Sequence, residues 1–172
     1  MCRLAVNCRS IFYNTRWTAA VHNKSMSKIH YIPEGFQAVT PYFVVPDGPA
    51  FMNFLKQVFN AEEHSVSKGP DGSIMHAQMR LDGSVIEFGQ GNDRWPPMRL
   101  NIHVYVPDTD ATYRRALKAG ARSVREPQDE FYGDRTAGIE DPAGNIWWVA
   151  THMENLTDEE IERRAAALRG GH

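Results

Sequence analysis

The sequence predicts an α+β chain made of two β-α-β-β-β repeats closed by a C-terminal helix. Three observations lead there. Strand-like alternation followed by an amphipathic stripe occurs twice, Asp-Gly pairs punctuate the first repeat, and matching turns recur 61 residues apart, Asp47 with Asp108 and Gly83 with Gly144.

The first strand is read in "VTPYFVV", where Val39, Phe43 and Val45 share one face and Thr40, Tyr42 and Val44 the other. Pro46-Asp47-Gly48 breaks it, and Phe51, Phe54, Leu55, Val58 and Phe59 then recur at helical spacing. Strands are expected over Glu62 to Lys68, Ser73 to Leu81 and Ser84 to Gly89, separated by Asp71-Gly72 and Asp82-Gly83, which are strong hairpin signals. In "MHAQMRL" the alternation sends Met75, Ala77, Met79 and Leu81 toward the helix and His76, Gln78 and Arg80 away from it.

The second repeat opens on "LNIHVYV", with Leu100, Ile102, Val104 and Val106 on one face and Asn101, His103 and Tyr105 on the other. Tyr113, Ala116 and Leu117 form a helix stripe, and Gly120 suits the left-handed position beyond it. Arg122 to Pro127, an irregular aromatic loop, Arg135 to Glu140, the Asp141 to Gly144 turn and Ile146 to Thr151 complete the order. In "LTDEEIERRAAAL" Thr157 and Glu160 have the capping-box spacing of a helix start. The organisation expected is a basic extension over 1–29, one module over 30–92, a second over 93–152, and a helix and tail over 153–172.

Composition narrows the function classes. With 42% apolar and 10% aromatic residues in 172, the chain can build a sizeable core, and no run approaches the roughly 18 apolar residues of a membrane helix. The first 25 residues carry Arg3, Arg9, Arg16 and Lys24 but no acid, the first being Glu34; without those four, 15 basic residues face 21 acidic ones, near −6 net, which argues against nucleic acid as a partner. The acid-free leader resembles a targeting segment, whereas Met26 reads as a start followed by domain sequence; both readings stay open. Both cysteines, Cys2 and Cys8, lie in the leader, so the body is free of thiol chemistry, as suits a cytoplasmic protein. Gly-rich phosphate loops, a G-x-S-x-G elbow and CxxC pairs are absent.

Taken together, "IPEGFQAVTPYFVV", "SIMHAQMRLDGSVI", "NIHVYVPDTDATYRRALKAGA" and "FYGDRTAGIEDPAGNIWWVATHMENLTDEEIERR" resemble the vicinal oxygen chelate superfamily, and within it the PhnB-like and glyoxalase/bleomycin-resistance-like proteins, over about residues 30 to 168. The resemblance implies paired modules whose sheets curl into a cup with the helices outside, a ligand inside, and commonly a homodimer. In the metal-using members the first and last strands of each module supply four ligands. Counting from the repeated turns places those positions at Thr40, Glu87, Asn101 and Trp148, of which Glu87 alone binds a cation well.

Two expectations follow. The first is a metal-free cup that binds a small planar or aromatic molecule, using Thr40, Tyr42, Gln78, Asn101, Tyr105, Tyr132, Arg135 and Trp148, with Phe131, Tyr132, Asp134 and Arg135 forming a lid and Trp95 another wall. Glu87, His103 and His76 are the candidate acid-base groups within it. The alternative is a divalent-metal lyase, isomerase or dioxygenase holding Zn, Ni, Mn or Fe through His76, His103 and Glu87, with His152 as a further ligand. For a lone strand histidine the plainer reading is a half-buried hydrogen-bonded ring, and for Asp134 a pairing with Arg135.

Overall fold

A computed structural model describes residues 29–170. The chain divides into two units, Met1–Tyr31 and Ile32–His172. Of the first, only residues 29–31 are described, with the His30 and Tyr31 rings stacked at 4.8 Å. The expectations for the basic leader therefore lie outside the described residues.

The second unit contains both modules. The first runs β1 (Tyr42–Val45), α1 (Gly48–Phe59), β2 (Glu62–Lys68), β3 (Ile74–Leu81) and β4 (Ser84–Gln90). Its partner runs β5 (Asn101–Tyr105), α2 (Thr109–Lys118), β6 (Arg122–Asp129), β7 (Asp134–Glu140) and β8 (Ile146–His152), and α3 (Asp158–Arg169) follows. The strands form two four-stranded sheets, ordered β1-β4-β3-β2 and β5-β8-β7-β6. In each, the first strand pairs parallel to the last, and the repeat is preserved in register: Tyr42 lies opposite Glu87, and His103 opposite Trp148.

Local chemistry sets the element ends. Asp47 and Asp108 cap α1 and α2 by accepting from the N–H groups of Ala50 and Ala111 at 2.9 and 2.8 Å. Asn60, at φ 54, ends α1 in the left-handed conformation. Thr157 caps α3 by accepting from Glu160 N–H, as its spacing predicts. The Asp-Pro-x-Gly-Asn turn is tied by Asp141, whose buried carboxylate accepts from Asn145 N–H, Asn145 Nδ2 and Trp147 Nε1 at 2.8 to 2.9 Å. Asn145 Oδ1 in turn accepts from Leu100 N–H, so the turn also anchors the start of β5.

Both modules share one core. Phe43, Phe51, Leu55, Val58, Met79 and Phe88 from the first meet Tyr113, Ala116, Ile139, Trp147 and Val149 from the second. The Phe43 and Trp147 rings stack at 5.5 Å, and Phe59 meets Trp147 at 4.8 Å. Arg115 on α2 donates through Nε and Nη2 to the Val58 carbonyl near the end of α1, which joins the two helices. The helix-covered face of each sheet is thus buried and the other face is open.

Four expectations are corrected. The first strand starts at Tyr42, and Val39 is 81% exposed; Pro41 has no N–H to give a ladder, so Thr40 lies in the bend before the strand. Met75 is exposed and Ile74 takes the buried place, because β3 is irregular against β2 between Ser67 and Lys68. Leu117 is also exposed; Thr109 and Thr112 join Tyr113 and Ala116 on the buried side of α2. The irregular aromatic loop shrinks to a turn, since β6 continues through Pro127 to Asp129, which an edge strand tolerates.

Candidate functional site

On the open face of the first sheet, Glu87 sits between Tyr42 on β1 and Gln78 on β3. Gln78 Nε2 donates to Glu87 Oε1 at 2.9 Å, and His76 Nε2 lies 3.7 Å from the same oxygen. The His76 ring stacks on Tyr42 at 5.9 Å. Thr40 Oγ1 is directed to the Gln37 carbonyl at 3.4 Å, and Gln37 clamps the Val85 backbone by accepting from its N–H and donating to its carbonyl. Beside Tyr42 opens a cavity of about 530 Å³ lined by Val44, Met75, Gly89, Gln90, Asn92, Trp95 and Met98. Trp95 lines this cavity together with Met75 and Met98.

The open face of the second sheet is paved with rings. Tyr105 on β5 reaches across β8 to donate its hydroxyl to Asp134 Oδ2 on β7 at 2.8 Å, so its ring crosses the small side chain of Ala150, its β8 partner. Trp148 leans over Gly138, its β7 partner: a Cβ on that glycine would lie 2.8 Å from Trp148 Cζ3. Arg125 holds the indole from β6, its guanidinium 5.0 Å from the ring centroid. The same guanidinium pairs with Glu130 at 2.8 Å and bonds to Thr136 Oγ1. His103 is exposed and packs against Tyr105 at 4.9 Å. Along the seam between β5 and the first module runs a second cavity, about 550 Å³, lined by Gln37, Val39, Pro41, Ile86, His103, Tyr105, Trp147 and the β3–β4 turn.

Each predicted residue can now be placed. Tyr42, His76, Gln78 and Glu87 form one cluster, and His103, Tyr105 and Trp148 share another face with Asn101, which is exposed at the start of β5. Among the described residues no hydrogen bond, ion pair or ring contact directly joins the two sets. Tyr132 lies in the β6–β7 turn against Phe131, its hydroxyl pKa raised by burial and by Glu130 and Asp134. Arg135 turns the other way. With Ala137 and Ile139 it points to the helix-covered face, where Nε and Nη2 fork onto Asp110 of α2 and Nη1 reaches Asp129. Those two carboxylates, Asp110 first, raise its pKa, and its charge is committed to them.

Asp134 does not pair with Arg135. It is 4% exposed on the open face and holds two groups, Tyr105 on Oδ2 and His152 Nδ1 on Oδ1 at 2.7 Å. His152 Nε2 meets Asn155 Oδ1 at 3.0 Å. The hydrogen bond to Asp134, then that to Asn155, raises the His152 pKa, and the bond to Asp134 also raises that of Tyr105. This grouping escaped the sequence reading, although period-two parity puts Tyr105, Asp134, Thr136, Gly138, Trp148, Ala150 and His152 on one face. The signal was the pairing of small residues with large rings on neighbouring strands.

The four positions that the metal-using pattern implies are occupied by Thr40, Glu87, Asn101 and Trp148. Thr40 is turned to backbone, Glu87 is engaged by Gln78, and Trp148 offers an N–H but no basic lone pair. Among the described residues no three of His, Cys, Asp and Glu gather as a metal would require. No helix of those residues is long and apolar enough to cross a membrane.

Two covalently continuous β-α-β-β-β modules with helix-covered and open sheet faces define the glyoxalase-type fold. Residues 28–149 match the Glyoxalase/Bleomycin resistance protein/Dioxygenase superfamily, and the chain belongs to it. An uncharacterized protein of Mycobacterium bovis is 32% identical over 136 residues, 73% of this chain and 90% of that protein. A Mycobacterium tuberculosis protein shows the same identity over 80% of its length. Among solved structures, TioX from Micromonospora sp. ML1 superposes with a TM-score of 0.59 at 21% identity, covering 68% of this chain and 99% of TioX. The PhnB protein from Bacillus cereus gives 0.54 at 16% identity, over 67% of this chain and 99% of its own.

Proposed function

We propose that the protein binds a small planar or aromatic molecule in a cup and does so without the metal used by other members of its superfamily. The observation that carries this reading is the paving of the second sheet: Trp148 stands at a ligand position, seated on Gly138 and held by Arg125. Flat rings on bare backbone offer stacking surface, about 0.5 to 1.5 kcal/mol per aromatic contact beyond area burial. Tyr42 and Trp95 give the first sheet a similar apolar wall, with Glu87, Gln78 and His76 as the polar group beside it.

The open faces lie away from the shared core, and β5 is the outer strand of its sheet, which suits completion of the cup by a second copy of the chain; sedimentation at micromolar concentration is expected to give a dimer. Titration with planar aromatic compounds, followed by tryptophan fluorescence, tests the reading. Saturable quenching that Trp148→Ala weakens about tenfold supports it, and absence of quenching across a broad set of such compounds contradicts it.

A further inference from the structure

An amide side chain whose oxygen is held by backbone N–H groups must turn its NH2 elsewhere. Two such amides border the cavity of about 530 Å³ beside Tyr42. Gln90 Oε1 accepts from Gly48 N–H at 3.2 Å, at the start of α1, and Asn92 Oδ1 accepts from the N–H groups of Arg94 and Trp95, both at 3.0 Å. Among the described residues neither Gln90 Nε2 nor Asn92 Nδ2 has an acceptor, and the Tyr42 hydroxyl has no partner either. That hydroxyl reaches over bare backbone, since a Cβ on Gly89 would lie 2.9 Å from it. The rest of the lining is apolar: Trp95, Met75 and Met98 are 63%, 63% and 59% exposed, with Val44 beside them. Backbone bonds preset this wall. Asn92 and Trp95 exchange N–H and carbonyl contacts at 2.9 and 3.1 Å, and Met98 N–H donates to the Val44 carbonyl at 3.0 Å on the outer edge of β1. No charged side chain is among the lining residues; Arg94 lies 5.7 Å over the Trp95 ring without lining the cavity, and Glu87, on the same sheet face, is engaged by Gln78.

We infer that this cavity takes an uncharged flat molecule with carbonyl acceptors along one edge, such as a lactone or quinone, its ring against Trp95 and Met98 and its oxygens on the donors of Gln90, Asn92 and Tyr42. This rests on the reading that the open faces bind planar molecules. An ion entering the cavity would shed water and find no counter-charge in the lining, whereas an uncharged carbonyl is desolvated more cheaply and regains its hydrogen bonds. A plain hydrocarbon of the same shape would stack as well, but it would displace water from the amide donors and leave them unpaired. The two amides cannot turn over to offer acceptors instead, because a flip would set their NH2 groups against backbone N–H groups. The cavity thus reads acceptors, and its size falls within the roughly 300–1,000 Å³ of small-molecule sites.

The test titrates coumarin, a flat lactone, and naphthalene, a flat hydrocarbon of similar size, followed by NMR at the Trp95 indole N–H signal. The proteins are the wild type, Gln90→Glu, Asn92→Asp and the double variant. Each substitution keeps the oxygen that accepts from backbone and removes the NH2 donor. Coumarin binding is expected to weaken about fivefold with each substitution, the worth of one hydrogen bond, while naphthalene binding holds within about twofold. The flat ions 2-naphthoate and N-methylquinolinium should bind the wild type more weakly than coumarin. Coumarin affinity unchanged in the double variant, or either ion bound more tightly than coumarin, overturns the inference and leaves planar binding standing. If neither coumarin nor naphthalene moves the Trp95 signal, the inference fails, and the reading beneath it fails with it only when the Trp148 indole signal is unmoved as well.

Discussion

Trp148 keeps its place because residue 138 has no side chain. An alanine there would put its Cβ 2.8 Å from the indole and 3.2 Å from Val124, so the ring must lift off the sheet. Gly138→Ala is expected to cost about 1–2 kcal/mol in chemical denaturation, overpacking outweighing the entropy gained in the unfolded chain, with a red-shifted tryptophan emission. His152 supplies a pH-dependent contribution. Its folded-state pKa is raised from the ordinary 6.5, so the stability it adds is complete below pH 6.5 and is lost as pH rises through the higher folded value. The stability gap between wild type and His152→Gln should therefore narrow from pH 6 to pH 8, and NMR titration should place the His152 midpoint above that of free histidine. At this scale the sequence was partly legible. Alternation assigned His76 and Gln78 to an open face, and counting from the repeated turns did so for Trp148, but neither could say that Asp134 bonds to His152 and Arg135 to Asp110, because those partners come from distant strands and an opposing helix.

Elements were the most legible level, since caps and Asp-Gly turns are local signals. The failures have local causes too. Pro41 shortens β1 from the front, and Pro127 suggests an ending that the edge position of β6 makes unnecessary. The consequence for the site is direct: a longer β6 and a tight Glu130–Gly133 turn bring β7 in early enough for Asp134 to face His152. Gly133 makes this possible at φ +95, and its carbonyl accepts from the N–H groups of Met153 and Glu154 beyond β8. A Cβ there would meet the Glu154 carbonyl oxygen at 2.6 Å. Gly133→Ala is expected to destabilise the protein by about 1–3 kcal/mol and to loosen the His152 segment, seen as faster amide exchange over residues 151–156.

For the whole molecule, the 61-residue repeat announced two equivalent modules, and their parallel pairings, Tyr42 with Glu87 and His103 with Trp148, match it residue for residue. The apolar stripes foretold a shared core in which Phe43 and Phe59 take part; Trp147, which both rings meet, was not singled out. The same repeat placed Asn101 and Trp148 at the positions the metal-using pattern implies; what no periodicity could convey is which small residues lie opposite the large rings, as Gly138 does opposite Trp148. Replacing donors by rings is the central claim. It is tested most directly by titrating an aromatic ligand of the proposed cup into protein stripped of metal with a chelator, before and after adding back Zn, Ni, Mn or Fe. Unchanged affinity in all cases, weakened about tenfold by Trp148→Ala, is the expected result; affinity that vanishes on stripping and returns with one of the metals would contradict it.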